Sequence, residues 1–199
     1  MKRRFSEIEK AAYHEIGHVL AMYICYGNID RYRDITVYWN GAGLVETDSD
    51  FYIADKVKCC DFSRSGFDFY FNEVCINVAG GVCEAIMTHR EKFLSSISIP
   101  IKLPHKNMEG DYTQITYVLS LMAVHDKKDI SAIIRAATIY IQRAFVPYLE
   151  KIEELARYLL YDDDECCMSK LEFYKIMNPT LYRKERRRLH KKLKEKGWI

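Results

Sequence analysis

The sequence lacks any apolar run close to the roughly twenty residues that an α-helix needs to cross a bilayer. It also lacks a Gly-x-x-x-x-Gly-Lys segment, the loop that holds nucleotide phosphates in P-loop ATPases. Internal repeats and long low-complexity segments are missing as well. We therefore expect a chain with no transmembrane segment, no ATPase of its own, no dependence on ATP and no repeat architecture.

The seven cysteines include no C-x-x-C pair and follow no secretion signal. They are Cys25, Cys59, Cys60, Cys75, Cys83, Cys166 and Cys167. An odd, irregular set of thiols is typical of a reducing compartment, where cysteine serves mainly as a small apolar residue. The cysteines therefore predict a cytoplasmic protein.

The composition is that of a compact domain, because 49% of the 199 residues are hydrophobic and 29% are charged. Helical periodicity dominates, and helices are predicted at about 68–88, 111–124, 129–145 and 147–161. Residues 35–39 and 44–47 have the composition of short strands joined by a glycine turn. We predict a mainly α fold, with one domain over 1–178 and a basic tail or helix over 179–199.

A strong helix signal lies near the N-terminus. Ser6 and Glu9 form a Ser-x-x-Glu capping box, the pattern that typically starts a helix. The residues that follow, from Ala11 to Tyr23, are apolar enough for a helix that is largely buried. The predicted hairpin or short sheet comes directly after this helix, so we expect the two to be neighbours.

Residues 14–18 of this helix read His-Glu-Ile-Gly-His. Positions i and i+4 lie on one helix face, so His14 and His18 can bind one metal ion while Glu15 reaches its open side. Two hydrogen-bonded core histidines are the alternative, but burying two histidines and a glutamate without a metal would be costly. The pattern predicts a zinc hydrolase in which Glu15 is the general base.

Four downstream segments, in the same order, resemble those of the FtsH-type AAA metalloproteases. Residues 34–46 resemble the VTIxPRGxALG stretch of that family, and 78–86 resemble its LAGRAAEEL helix. Residues 110–116 resemble the SNDIxxAT segment, and 149–176 resemble the closing helices. The resemblance covers most of residues 6–177 and implies a helical zinc-peptidase domain.

A catalytic zinc usually has three protein ligands, so a third must join the two histidines. The resemblance implies Asp111, which matches the aspartate of SNDI. Glu84, which matches the first glutamate of AEE, is the rival ligand or a group that orients one of the histidines. The chain departs from the family at Gly81, where the family has arginine, and at residues 39–40, where it has Pro-Arg. The family's contacts for ring assembly are therefore not expected here.

The hairpin has a predicted role of its own, because metallopeptidases commonly hold the substrate as a strand added to a sheet edge. The candidate residues for such an edge are Ile35, Thr36, Val37, Tyr38, Leu44 and Val45. The alternative is a structural hairpin that covers the core.

The C-terminal segment separates the charges of the chain. Residues 182–199 carry nine Lys or Arg and two Glu, a net charge of +7, which leaves −5 for the residues before them. Such a segment suggests an anionic partner, either a nucleic acid or a lipid surface. The alternatives are a solvated helix or a contact with the acidic run at 162–165.

Together these patterns predict an ATP-independent zinc metalloendopeptidase that acts on flexible or unfolded polypeptides. Its expected partners are the polypeptide substrate, further copies of the chain, and an anionic partner for the tail. The alternative function is a non-catalytic, zinc-stabilised binding or adaptor protein. Glu15 favours catalysis, because a structural zinc site has no need of a base.

Overall fold

The structure is a computed structural model that describes residues 4–47, 64–94, 101–103, 108–162 and 165–196. These residues form a mainly helical fold with one small three-stranded sheet, as the sequence predicts. None of the helices in these ranges is both long enough and apolar enough to span a bilayer.

The first helix, α1 (Glu7–Tyr26), begins at the predicted capping box. The Oγ of Ser6 accepts a hydrogen bond from the backbone N–H of Glu9, and the Glu9 carboxylate accepts one from the backbone N–H of Ser6. Every residue from Ala11 to Met22 is buried, so α1 is covered on all sides. The helix ends at Gly27, whose φ of 70° lies in the left-handed region that favours glycine.

The second helix, α2 (Arg64–Thr88), packs along α1 and forms the centre of the core with it. The two helices approach closely at Gly17. A Cβ atom at this position would lie 2.4 Å from the carbonyl oxygen of Ala79 and 2.7 Å from the Cβ of Cys83. Only glycine therefore permits this separation of the helix axes.

Shorter helices surround this pair. The helix predicted at 68–88 overlaps α2, and each of the other three predicted helices overlaps one of the shorter helices. The shorter helices are α3 (Arg90–Leu94), α4 (Glu109–Leu121), α5 (Lys127–Phe145), α6 (Leu149–Arg157), α7 (Lys170–Met177) and α8 (Pro179–Glu195). Helices α4 and α5 pack against α2, and α6 packs against α1. Pro147 lies in a 3₁₀ turn (Val146–Tyr148) that precedes α6, and a π-helical turn (Tyr158–Asp162) follows it.

The sheet consists of β1 (Tyr32–Val37), β2 (Gly43–Thr47) and β3 (Cys167–Ser169), in the order β2-β1-β3. Strands β1 and β2 form the predicted hairpin, with Ile35 opposite Val45 and Val37 opposite Gly43. Strand β3 pairs antiparallel with the other side of β1. Strand β2, which also contacts α1, is therefore an edge strand of the sheet.

The prediction that Ile35, Thr36 and Val37 offer a free sheet edge is wrong. Both sides of β1 are already paired, because Ile35 and Thr36 lie opposite residues of β3 and the N–H of Val37 donates to the carbonyl of Cys166 at 3.0 Å. Tyr38 lies beyond the end of β1, in the turn before β2. Among the candidate strand residues, only Leu44 and Val45 belong to the edge strand.

The basic segment forms α8, which begins at the cap residue Asn178. The side chain of Asn178 accepts from the backbone N–H of Leu181 at 3.2 Å and donates to the hydroxyl of Tyr23 at 3.0 Å. Helix α8 has no buried residue along Pro179–Glu195 and contacts mainly α7. Residues 197–199 of the predicted tail, and part of the acidic run at 162–165, lie outside the described residues.

We predict that Gly17→Ala destabilises the fold even when the metal is chelated. The added Cβ meets a backbone carbonyl that cannot rotate away, so the helices must separate, at a cost of about 2 kcal/mol or more. Thermal unfolding followed by circular dichroism measures the change. Gly110→Ala in α4 is the matched control, because no atom lies within 4 Å of its added Cβ. Equal Tm values for the two variants would contradict the close packing at Gly17.

Candidate metal centre

The two histidines of the His-Glu-Ile-Gly-His motif lie one turn apart on α1, as the helical spacing predicts. Their ring centroids are 4.9 Å apart, and the ring planes are inclined at 75° to each other. Both residues are buried: His14 is 4% exposed, and His18 is 9% exposed. Buried imidazoles need partners for their nitrogen atoms, and the surrounding helices supply them.

Asp111, in the first turn of α4, lies between the outer nitrogens of both rings. Its Oδ2 is 3.1 Å from the Nε2 of His14, and its Oδ1 is 3.4 Å from the Nε2 of His18. One donor atom from each of the three residues lies within 4.8 Å of the other two. Two imidazoles and one carboxylate are a ligand set that suits zinc.

The inner nitrogens of the rings face α2. The Nδ1 of His18 lies 2.8 Å from the carbonyl oxygen of Ile76, so Nδ1 donates its proton there and Nε2 keeps its lone pair for a ligand bond. The Nδ1 of His14 is buried, and among the described residues it has no partner within hydrogen-bond distance; the Glu84 carboxylate lies 3.6 Å from it. Glu84 therefore lies behind His14, on the opposite side of the ring from Asp111.

Gly80 of α2 provides space beside the two Nε2 atoms. A Cβ atom at this position would lie 2.5 Å from the Nε2 of His18 and 2.6 Å from that of His14. Any larger residue would fill the space in front of both donor nitrogens. The space beside Gly80 and the chemistry of the three donor side chains together fit a metal ion held by His14, His18 and Asp111.

The charges around the site favour a cation. Burial alone would lower the pKa of His14, but contacts with Asp111 and Glu84 and the charge of Glu15 together raise it to about 9. Burial raises the pKa of the Glu15 carboxyl, and the charge of Asp111 adds to this, whereas the two histidines lower it. Three acids therefore surround two imidazoles, so the electrostatic potential at the site stabilises positive charge.

Glu15 is held beside the start of the edge strand. A Cβ atom on Gly43, the first residue of β2, would lie 2.5 Å from the Oε1 of Glu15. The glycine therefore lets the carboxylate reach the backbone of the strand. Glu15 and the three candidate ligands line one open groove of about 690 Å³.

The groove extends from the histidines along β2. Strand β2 contributes Leu44 and Val45 to the lining, and α4 contributes Gln114 and Tyr117 together with Asp111. The lining also includes Arg31, which forms an ion pair with the buried Glu73. The groove therefore runs beside an edge strand for several residues from the candidate metal site.

The structure brings together most of the residues that the sequence nominates. His14, Glu15, His18 and Asp111 line the groove with Leu44 and Val45, whereas Ile35, Thr36, Val37 and Tyr38 do not line it. Sequence reasoning missed the roles of Gly80, Gly43 and the Ile76 carbonyl. The glycine pair in the middle of α2 was the available signal, because a glycine within a helix often marks a close approach.

Comparison with protein-family models gave no match to this chain, and comparison with curated proteins gave none either. The FtsH-like segments therefore remain a resemblance between short motifs. In the structure, the segment at 78–86 belongs to α2, and the segment at 110–116 belongs to α4. At Gly81, where that family has arginine, a Cβ would lie 2.4 Å from the Sδ of Met108.

We predict that Asp111→Ala lowers zinc affinity far more than Glu84→Gln does. Asp111 faces both Nε2 atoms, whereas Glu84 contacts only the inner side of His14, and the loss of such an outer partner typically costs about 10–100-fold. Competition with a chromophoric chelator measures the affinity, and far-ultraviolet circular dichroism checks the fold. Full zinc occupancy in Asp111→Ala together with loss in Glu84→Gln would reverse the assignment.

We also predict that Gly80→Ala abolishes zinc binding, because its Cβ fills the space beside both donor nitrogens. Gly81→Ala is the neighbouring control, since its Cβ meets only the flexible end of Met108. Isothermal titration with zinc should show binding to the control and none to Gly80→Ala. Wild-type affinity in Gly80→Ala would mean that the ion binds elsewhere.

Proposed function

We propose that the protein is an ATP-independent zinc metallopeptidase that hydrolyses peptide bonds in flexible or unfolded polypeptides. One observation carries this proposal: Glu15 lines the same groove as the His14, His18 and Asp111 cluster, beside the start of an edge strand. A site built only for stability would have no use for a carboxylate at this place.

Glu15 is the general base in this proposal. A zinc ion held by His14, His18 and Asp111 would lower the pKa of a water molecule to about 7 and polarise the substrate carbonyl. Glu15 accepts the proton of the attacking water and donates it to the leaving amine when the peptide bond breaks. Its burial supports this role, because a raised pKa brings the carboxyl closer to the range in which it exchanges protons near neutral pH.

The surrounding residues position the base and the imidazoles. The Ile76 carbonyl fixes the proton of His18 on Nδ1, and Glu84 lies beside the inner nitrogen of His14. The backbone at Gly43 limits the movement of the Glu15 carboxylate on the strand side. These contacts keep the base and the candidate ligands in fixed relative positions.

Strand β2 is the proposed binding edge for the substrate. One side of β2 pairs with β1, and its other side is not paired to a strand within the described residues. An extended peptide on this side can form backbone hydrogen bonds whatever its sequence. Leu44, Val45, Gln114 and Tyr117 then contact its side chains. A folded protein does not offer such an extended segment, so flexible chains are the expected substrates.

The resemblance to FtsH-type peptidases supports this function through the His-Glu-x-x-His motif and Asp111. Among the described residues, Cys25, Cys75, Cys83 and Cys166 are free thiols. The cytoplasmic location expected from the cysteine pattern stays a prediction.

We predict that Glu15→Gln lowers peptidase activity by about 10²–10⁴-fold while zinc remains bound, because the amide keeps the shape of the side chain but cannot accept the proton. Cleavage of unfolded casein, measured with and without ATP, tests the prediction, and zinc content is measured on the same samples. ATP should have no effect.

Glu150→Gln is the matched control, because Glu150 is an exposed residue of α6 outside the groove. It should cleave casein as fast as the wild type does. Equal cleavage by the wild type and Glu15→Gln would end the peptidase proposal. Zinc binding without cleavage of any member of a broad peptide library would favour the adaptor function instead.

A further inference from the structure

Helix α8 is an exposed helix with an unusually high positive charge. Residues 182–199, which include most of α8, carry a net charge of +7, and the residues before them carry −5. No residue of α8 is buried. The charge therefore lies on an accessible surface and does not stabilise the core.

The apolar side of α8 is turned towards the protein. Leu181 and Tyr182 pack against the hydrophobic core. Further along, Leu189 lines a cleft opposite Leu171 of α7, and Arg188 and Lys192 line the same cleft. We call Arg188, Leu189 and Lys192 the cleft face of α8.

The opposite side of α8 carries a row of cations. Arg183, Arg187, Lys191 and Lys194 follow one another at three- and four-residue spacing, so they share one face of the helix. All four side chains are exposed. We call these four residues the outer face. Successive members are about 4.5–6 Å apart along the helix axis, at 1.5 Å per residue.

The outer face retains most of its charge. The ion pairs within α8 are Arg188 with Glu185 and Lys191 with Glu195, each at 3.8 Å. Among the described residues, no ion pair involves Arg183, Arg187 or Lys194. Exposed pairs at this distance contribute little, so the row remains strongly positive.

We propose that the outer face of α8 binds the phosphate backbone of nucleic acid. A row of exposed cations on a straight helix can neutralise successive phosphates and release their condensed counterions. Residues 183–196 contain no Phe, Tyr or Trp, so the face has no aromatic ring to stack on bases. The contact is therefore with the backbone and independent of base sequence.

The orientation of α8 favours nucleic acid over a lipid surface. A helix that lies on a membrane inserts its apolar side between the lipids. Here that side packs on the core at Leu181 and Tyr182 and faces the cleft at Leu189. Leu189 is 43% exposed there, whereas the four residues of the outer face are all exposed cations. This inference uses none of the residues at the candidate metal centre and does not depend on the proposed peptidase activity.

Two double variants of the full chain test the proposal. Arg187→Gln with Lys191→Gln removes two charges from the outer face. Arg188→Gln with Lys192→Gln removes the same two residue types, at the same spacing, from the cleft face. Each pair contains one member of a 3.8 Å ion pair, so the variants match in this respect too.

Fluorescence anisotropy with short, mixed-sequence DNA and RNA duplexes measures binding over a range of salt concentrations. We expect the wild type to bind both duplexes, with an affinity that falls steeply as salt rises. The affinity of the outer-face variant should be lower by a factor of about ten or more. The slope of log affinity against log salt concentration should also become shallower by about 2, since each phosphate contact contributes about 0.9. The affinity of the cleft-face variant should fall by less than about threefold.

Equal weakening by the two variants would overturn the assignment to the outer face. Absence of binding to either duplex at low salt would overturn the proposal as a whole and leave α8 as a solvated helix. Vesicles of phosphatidylserine and phosphatidylcholine are the competing surface. Binding to these vesicles as tight as to the duplexes would overturn the choice of nucleic acid.

Discussion

The close contact between α1 and α2 is the constraint on which the candidate site depends. Gly17 brings the backbone of α1 against Ala79, and Gly80 leaves space beside the two Nε2 atoms. At this separation α2 can place the Ile76 carbonyl against His18 and Glu84 beside His14. Side chains at the two glycines would push the helices apart and remove these partners from the imidazoles.

The same packing explains how a buried site tolerates so much charge. Three acids and two histidines would be costly in a core unless they compensate one another or hold a cation. The raised pKa of His14 and the position of Asp111 both reflect this compensation. Glu15 differs from Asp111 and Glu84 because it lies in the groove against the backbone of β2 at Gly43. The core therefore provides the donors, and the edge of the sheet provides access to them.

Local spacing made part of this site predictable. The capping box and the four-residue separation of His14 and His18 depend only on helix geometry, and both are present in the structure. Asp111, 97 residues away from His14, could be nominated only through the resemblance to a family. Strand β3 was missed because three residues carry too little periodicity, and its pairing with β1 depends on the tertiary fold. Without β3, the central position of β1 could not be predicted.

The most direct test of this account is zinc K-edge X-ray absorption on the zinc-loaded full chain. Two imidazoles and a carboxylate should give a first shell of nitrogen and oxygen scatterers only, at about 2.0–2.2 Å, with multiple scattering from the histidine rings. A sulfur scatterer at about 2.3 Å would show that cysteine holds the ion and would contradict a site built on His14, His18 and Asp111.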